Sequence, residues 1–226
     1  MLKLDFKNKQ ILFWDLDGTI TDPKRGIIGS YQKLLEELCV PVPSEDQLLW
    51  VIGPPLRECI KQLVPEIKSQ ADLESAVTRY RHWYVHEKLM YLDTPYDGIL
   101  ELLRRLKENN RRMFVATAKA HSYARQILDH WNLTRYFEDV CGSELDGTRS
   151  VKGDLLEWMI TKFNLEASKP QIVMIGDRKH DITAATANQI SSIGVSYGYG
   201  SFEELAQAAP NYIARSIPDL HNSLIS

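Results

Sequence analysis

From Gly98 onward, apolar runs of strand-like and helix-like spacing alternate, and this alternation constrains the fold more than any other feature. The spacing predicts helices over 98–109, 121–131 and 153–163, separated by strands over 113–117, 137–141 and 172–175. A helix from about 180 to 188, a strand over 192–195 and a helix over 202–208 follow. Strands separated by helices imply a parallel sheet covered on both faces. One further strand, the run Ile11-Leu12-Phe13-Trp14, stands apart near the start. Between it and Pro95 the apolar spacing is helical, as in Ile27, Ile28, Tyr31, Leu34, Leu35 and Leu38, with breaks at Pro41-Val42-Pro43 and Gly53-Pro54-Pro55. The expected architecture is therefore an α/β core of residues 1–20 and 95–226, with a helical cap of residues 21–94 inserted after the first strand. A chain of 226 residues is long enough for both.

Open parallel sheets bind ligands beyond the carboxyl ends of their strands, and the polar clusters of this sequence fall there. The first strand stops at Asp15-Leu16-Asp17-Gly18-Thr19, which sets two carboxylates side by side. Their repulsion asks for a cation or a positive partner, although an Asp-rich turn bent at Gly18 fits the same letters. The strand 113–116 ends at Thr117, before a helix whose free amides favour phosphate; a simple helix cap fits equally. Lys152 opens another helix and, taken alone, reads as a surface charge. Ile175-Gly176-Asp177-Arg178-Lys179-His180-Asp181 follows a strand with two more acids, which by themselves fit a loop and a helix cap.

Composition narrows the classes. A formal net charge of −3 argues against a nucleic-acid binder, and no apolar run approaches the ~18 residues of a membrane span. The first residues show no secretory signal, so a cytoplasmic location is expected. Three widely spaced cysteines, Cys39, Cys59 and Cys141, suggest neither a disulfide framework nor a zinc knuckle.

Taken in order, Asp15-Leu16-Asp17-Gly18-Thr19, Thr117, Lys152 and Gly176-Asp177 to Asp181 resemble the four motifs of the haloacid dehalogenase superfamily, whose core is a Rossmann-like parallel sheet. Gly53-Pro54-Pro55-Leu56-Arg57-Glu58, Pro95-Tyr96-Asp97-Gly98, Ser143-Glu144-Leu145-Asp146-Gly147 and Gly198-Tyr199-Gly200-Ser201 look like its phosphoglycolate-phosphatase-like branch, which includes 5′-nucleotidases. Ala118 departs from the pattern, since many relatives carry Asn or Ser there; its backbone amide remains.

The resemblance implies a Mg2+-dependent phosphatase. Asp15 would be the nucleophile, forming a phospho-aspartate, and Asp17 the acid and then the base. Asp15, the carbonyl of Asp17 and Asp177 would hold the metal, with Asp181 supporting that shell or orienting Lys152. Thr117, the Ala118 amide and Lys152 would hold the phosphoryl oxygens. Arg57 would read the far end of a small phosphate monoester, making 2-phosphoglycolate the leading substrate and nucleoside monophosphates the alternative. Segments 21–26 and 93–95 are expected to act as hinges of a closing cap. Haloacid dehalogenases proper lack an acid at the place of Asp17. A phosphonoacetaldehyde hydrolase would carry a lysine near Arg57, and a β-phosphoglucomutase a histidine between Thr21 and Ser30. An inactive binding protein on the same fold is the reading from another class.

Overall fold

In chain order, the computed structural model, which describes residues 6–225, contains β1 (Ile11–Trp14), β2 (Thr21–Asp22), α1 (Lys24–Glu37), α2 (Leu56–Leu63), α3 (Gln70–Arg81) and β3 (Thr94–Pro95). The rest is α4 (Ile99–Glu108), β4 (Arg112–Ala120), α5 (His121–His130), β5 (Asp139–Ser143), α6 (Lys152–Lys162), β6 (Ile172–Gly176), α7 (Lys179–Ala187), β7 (Ser191–Val195), α8 (Phe202–Ala208), β8 (Tyr212–Ala214) and α9 (Ile217–Leu224). Six strands form one parallel sheet in the order β5-β4-β1-β6-β7-β8. The chain leaves β1 for β4 on one side and later returns to β6 on the other. This reversal opens a crevice at the carboxyl end of β1.

A strand with period-two side chains explains how the sheet is covered. Leu12 and Trp14 of β1, Met113 and Val115 of β4, and Val173 and Ile175 of β6 face one cluster, which α4, α5 and α9 close with residues such as Leu102, Leu128 and Leu220. Ile11 and Phe13, Phe114 and Ala116, and Ile172 and Met174 face the other, closed by α6 and α7 with Leu155, Met159 and Ala185. Every residue of β1 is buried, as a central strand covered on both faces requires.

Between β2 and β3 the described residues form only helices and loops, and they bury an apolar cluster of their own around Tyr31, Leu34, Ile60, Val77 and Tyr80. Ile127 of α5 is buried within this cluster, and Tyr123 and Tyr199 pack against it. The segments that leave and re-enter the core are not two independent connections. Thr21 pairs with Pro95 and Asp22 with Thr94, giving a two-residue antiparallel ribbon at the base of the insert.

Besides the β2–β3 ribbon, two elements of the core go beyond the sequence expectation, β8 and α9. Ser216 caps α9, its hydroxyl accepting from the Asp219 amide at 3.2 Å, and Leu220 and Leu224 pack on the β1 face of the sheet. β4 also continues three residues past Thr117, so that hydroxyl does not stand at the mouth of α5. It accepts instead from the Lys119 amide at 3.2 Å, and α5 has no side-chain cap.

Candidate active site

At the end of β1 the Asp15 amide still donates to the Ile175 carbonyl (2.9 Å), so Asp15 is held by the sheet itself. The chain then folds back sharply. The Leu16 carbonyl accepts from the amides of Thr19, Ile20 and Thr21, while Leu16 sinks its side chain into the core. Gly18 has φ +82°, and a Cβ there would collide with the Asp177 carboxylate. Only glycine meets both demands. With Leu16 turned inward, Asp15 and Asp17 emerge together on the crevice side, both lining a cleft.

Lys152, in the first turn of α6, is buried rather than a solvated surface charge. Its Nζ lies 2.8 Å from Asp15 Oδ1 and 2.9 Å from Asp181 Oδ1, and donates to the Ala116 carbonyl at 2.7 Å. Asp181 is fixed from α7, where its Oδ2 accepts from the Arg178 amide at 3.1 Å. A side chain at Gly176 would strike Asp181, so the end of β6 has to be glycine for the acid to sit there. Asp177 is fully buried; one oxygen accepts from the Tyr199 amide at 2.7 Å, and Oδ1 has no hydrogen-bond partner among the described residues.

Five carboxylates, those of Asp15, Asp17, Asp93, Asp177 and Asp181, are buried here with the ammonium groups of Lys119 and Lys152. Burial, with the charges of Asp15 and Asp181 beside it, drives the Asp177 carboxyl well above the carboxylate range. Burial also lifts Asp181 to about 6, against the pull of Lys152. For Lys152 itself burial works to lower the pKa, but the Asp15 and Asp181 carboxylates outweigh it and hold the ammonium above its ordinary value. An excess of buried negative charge is what a hard cation relieves. Asp15, Asp177 and Asp181 can each place an oxygen within 4.8 Å of the others, and the orphaned Asp177 Oδ1 supplies a free acceptor, so these residues fit a magnesium-like ion. The Asp17 carboxylate is not in that cluster; it turns to Lys119. A methyl group at Gly198 would push on both the Gly18 carbonyl and the Asp177 side chain. If a divalent cation occupies this cluster, Gly198→Ala should weaken its binding by roughly tenfold, about 1.4 kcal/mol, read by isothermal calorimetry; unchanged affinity would show that the cation does not use Asp177.

Lys119 escaped the sequence reading. Its Nζ lies 2.8 Å from Asp17 Oδ1 and 3.2 Å from Asp93 Oδ2, and it donates to the Tyr84 hydroxyl. No simple period marked it: the strand is irregular between Thr117 and Ala120, and the Lys119 amide bonds back to the Thr117 hydroxyl.

The cleft above these groups has about 840 Å³, including the part open to solvent. Thr117, Ala118 and Lys119 line its floor, and Tyr31, Tyr80, Tyr84 and Tyr123 stand around it. Arg57 lines the cleft as well, but its Nε–Nη2 edge is already occupied. Nε and Nη2 donate to the two Glu74 oxygens, each at 2.9 Å, and Nη2 also reaches the Leu145 carbonyl at 3.2 Å. Arg81 donates to the same carbonyl at 2.6 Å. The insert is thereby tied to the core loop after β5.

Residues 11–195 match the family described as haloacid dehalogenase-like hydrolase. A 5′-nucleotidase of Pseudomonas aeruginosa is 38% identical, over 95% of this chain and 95% of that protein. The tyrosine-protein kinase PtkA of Mycobacterium tuberculosis is 32% identical over 96% of this chain and 73% of its own length. Among solved structures, a predicted phosphatase from Clostridium acetobutylicum superposes with a TM-score of 0.87 at 36% identity, covering 94% of this chain and 96% of that one.

Proposed function

We propose, for a chain that belongs to the haloacid dehalogenase-like hydrolase family and is a phosphoric monoester hydrolase, that it works with magnesium through a phospho-aspartate on Asp15 and acts on nucleoside 5′-monophosphates. The observation that carries the reaction is the convergence of Asp15, Lys152, Asp177 and Asp181 at the carboxyl ends of β1 and β6. Asp15 attacks phosphorus in line; its oxygen–phosphorus bond forms as the bond to the leaving oxygen breaks. Asp17 gives that oxygen a proton. It then takes one from the water that attacks phosphorus and releases Asp15. Lys152, Thr117 and the Ala118 amide offset charge on the phosphoryl oxygens. A magnesium ion held by Asp15, Asp177 and the Asp17 carbonyl would supply the remaining positive charge. Residues 21–94 serve as the cap that roofs the cleft, which suits small monoesters rather than nucleic acid.

The contacts of Arg57 support the nucleotide reading over phosphoglycolate. A guanidinium whose two-pronged face already holds Glu74 is not available to grip the carboxylate of phosphoglycolate in the same way. The half-buried Tyr123 ring at the cleft and the 38% identical 5′-nucleotidase both favour a leaving group that carries an aromatic base. A panel of phosphate monoesters assayed with magnesium tests this. Nucleoside 5′-monophosphates should exceed 2-phosphoglycolate in kcat/KM by roughly tenfold or more, about 1.4 kcal/mol of transition-state binding, and a chelator should stop both reactions. A preference for phosphoglycolate would overturn the substrate, and full activity in chelator would overturn the metal.

A further inference from the structure

We propose that Lys119 is a positioning residue: it holds the Asp17 carboxylate towards the leaving group, and the insert helps to anchor it there through Asp93 and Tyr84. This rests on the phosphatase reading above, in which Asp17 is the acid and the base.

The two aspartates of the first motif are divided between two lysines. Lys152 takes Asp15, together with Asp181, on the side of the acidic cluster. Lys119 takes Asp17 at 2.8 Å on the side of the cleft. An aspartate two residues from the nucleophile, next to a place where a cation fits, would otherwise be drawn into that cation's shell and away from the leaving oxygen. Lys119 supplies a competing positive charge on the opposite side. It is itself tightly placed: its side chain is only 7% exposed. Asp93, which is fully buried, lies 3.2 Å from Nζ, and the Tyr84 hydroxyl accepts from Nζ while donating to Asp93 Oδ2 at 3.1 Å.

The origin of these anchors matters. Lys119 belongs to β4 of the core, whereas Tyr84 comes from a π-helical turn of the insert, His82–His86. Asp93 sits just before β3, where the chain re-enters the core, and its carbonyl accepts from the Trp131 indole at 2.8 Å. The lysine's position is thus defined by the insert as well as by its own strand in the core, and the geometry of Asp17 follows from it.

A role in aiming a proton donor has a signature that a merely structural role lacks. Protonation of the leaving oxygen matters greatly for an alkyl phosphate and little for p-nitrophenyl phosphate, whose leaving group departs readily as the anion. The experiment compares kcat/KM for these two esters, with magnesium, in the full-length wild type, Asp17→Asn, Lys119→Met and Asp93→Asn. General-acid contributions are typically about 10² to 10⁴-fold. Lys119→Met should lose roughly 10²-fold on the alkyl ester and less than about tenfold on the aryl ester, mirroring Asp17→Asn. Asp93→Asn, which keeps the side-chain shape, should lose activity in the same pattern to a smaller degree, and it carries the test if Lys119→Met fails to fold. If Asp17→Asn discriminates between the esters while Lys119→Met and Asp93→Asn lose equally on both, or lose nothing, the positioning role is overturned. If Asp17→Asn itself treats both esters alike, it is the acid assignment that fails.

Discussion

Asp15→Asn is expected to abolish turnover, by a factor on the order of 10⁴ to 10⁶, because on the proposed mechanism it removes the nucleophile and leaves only binding and charge stabilisation behind. The fold should survive. The amide is nearly the same size and shape as the carboxylate, the backbone of Asp15 is fixed by the Ile175 carbonyl, and Lys152 keeps Asp181 and the Ala116 carbonyl as partners. Removing one of five buried carboxylates also lessens the repulsion that raises Asp177 and Asp181. Steady-state hydrolysis of p-nitrophenyl phosphate and a thermal melt, measured on the same preparation, separate the two effects. Hydrolysis within tenfold of wild type would remove Asp15 from the nucleophile's place, whatever the melt shows.

The parts of this molecule that were legible in the sequence are those where a local pattern and the global fold make the same demand. Ile11–Trp14 reads as a buried strand because all four residues are apolar, and it is buried on both faces for the same reason. Asp15, Asp177 and Lys152 each end a strand or begin the helix after one, so a parallel sheet with helical crossovers must bring them to one edge. What escaped was tertiary. β8 is only three residues long and carries too little pattern, although Ser216 with Asp219 three residues on is a helix-start signal that marks α9. The end of β4 was expected at Thr117 because a polar residue followed the apolar run, yet the strand continues to Ala120 because it still pairs with β5, with Ala120 opposite Ser143. That difference hid Lys119. Its partners Asp93 and Tyr84 lie 26 and 35 residues away along the chain and meet it only once the insert has folded back on the core. The occupation of Arg57 is of the same kind. Glu74 lies on the next helix, and nothing in the local spacing of either residue announces that their side chains form a two-pronged pair across the α2–α3 contact.

Lys152→Met should lower kcat/KM by roughly 10² to 10³, about 3 to 4 kcal/mol, the range seen when one preorganised donor to a developing oxyanion is removed. Methionine keeps most of the volume beneath Ala116 and removes only the charge, so a packing defect contributes little. Stability and catalysis should respond differently to magnesium. Without a cation, deleting Lys152 leaves Asp15 and Asp181 facing each other with no positive partner, and breaking a buried pair in that way costs about 3 to 5 kcal/mol. The melting temperature in chelator should therefore fall well below that of wild type. A cation bound by the same acids restores the missing charge, and at about 100 times its dissociation constant it contributes roughly 2.7 kcal/mol to the folded state. Saturating magnesium should thus recover much of the lost stability. It should not recover turnover, because the donor to the phosphoryl oxygens on the proposed mechanism is still absent. Melts with and without magnesium, set beside kcat/KM at saturating magnesium, read both quantities. If magnesium restores activity together with stability, Lys152 acts only as a counter-ion that organises the acidic cluster, and the phosphoryl oxygens must be held by Thr117 and the Ala118 amide without it.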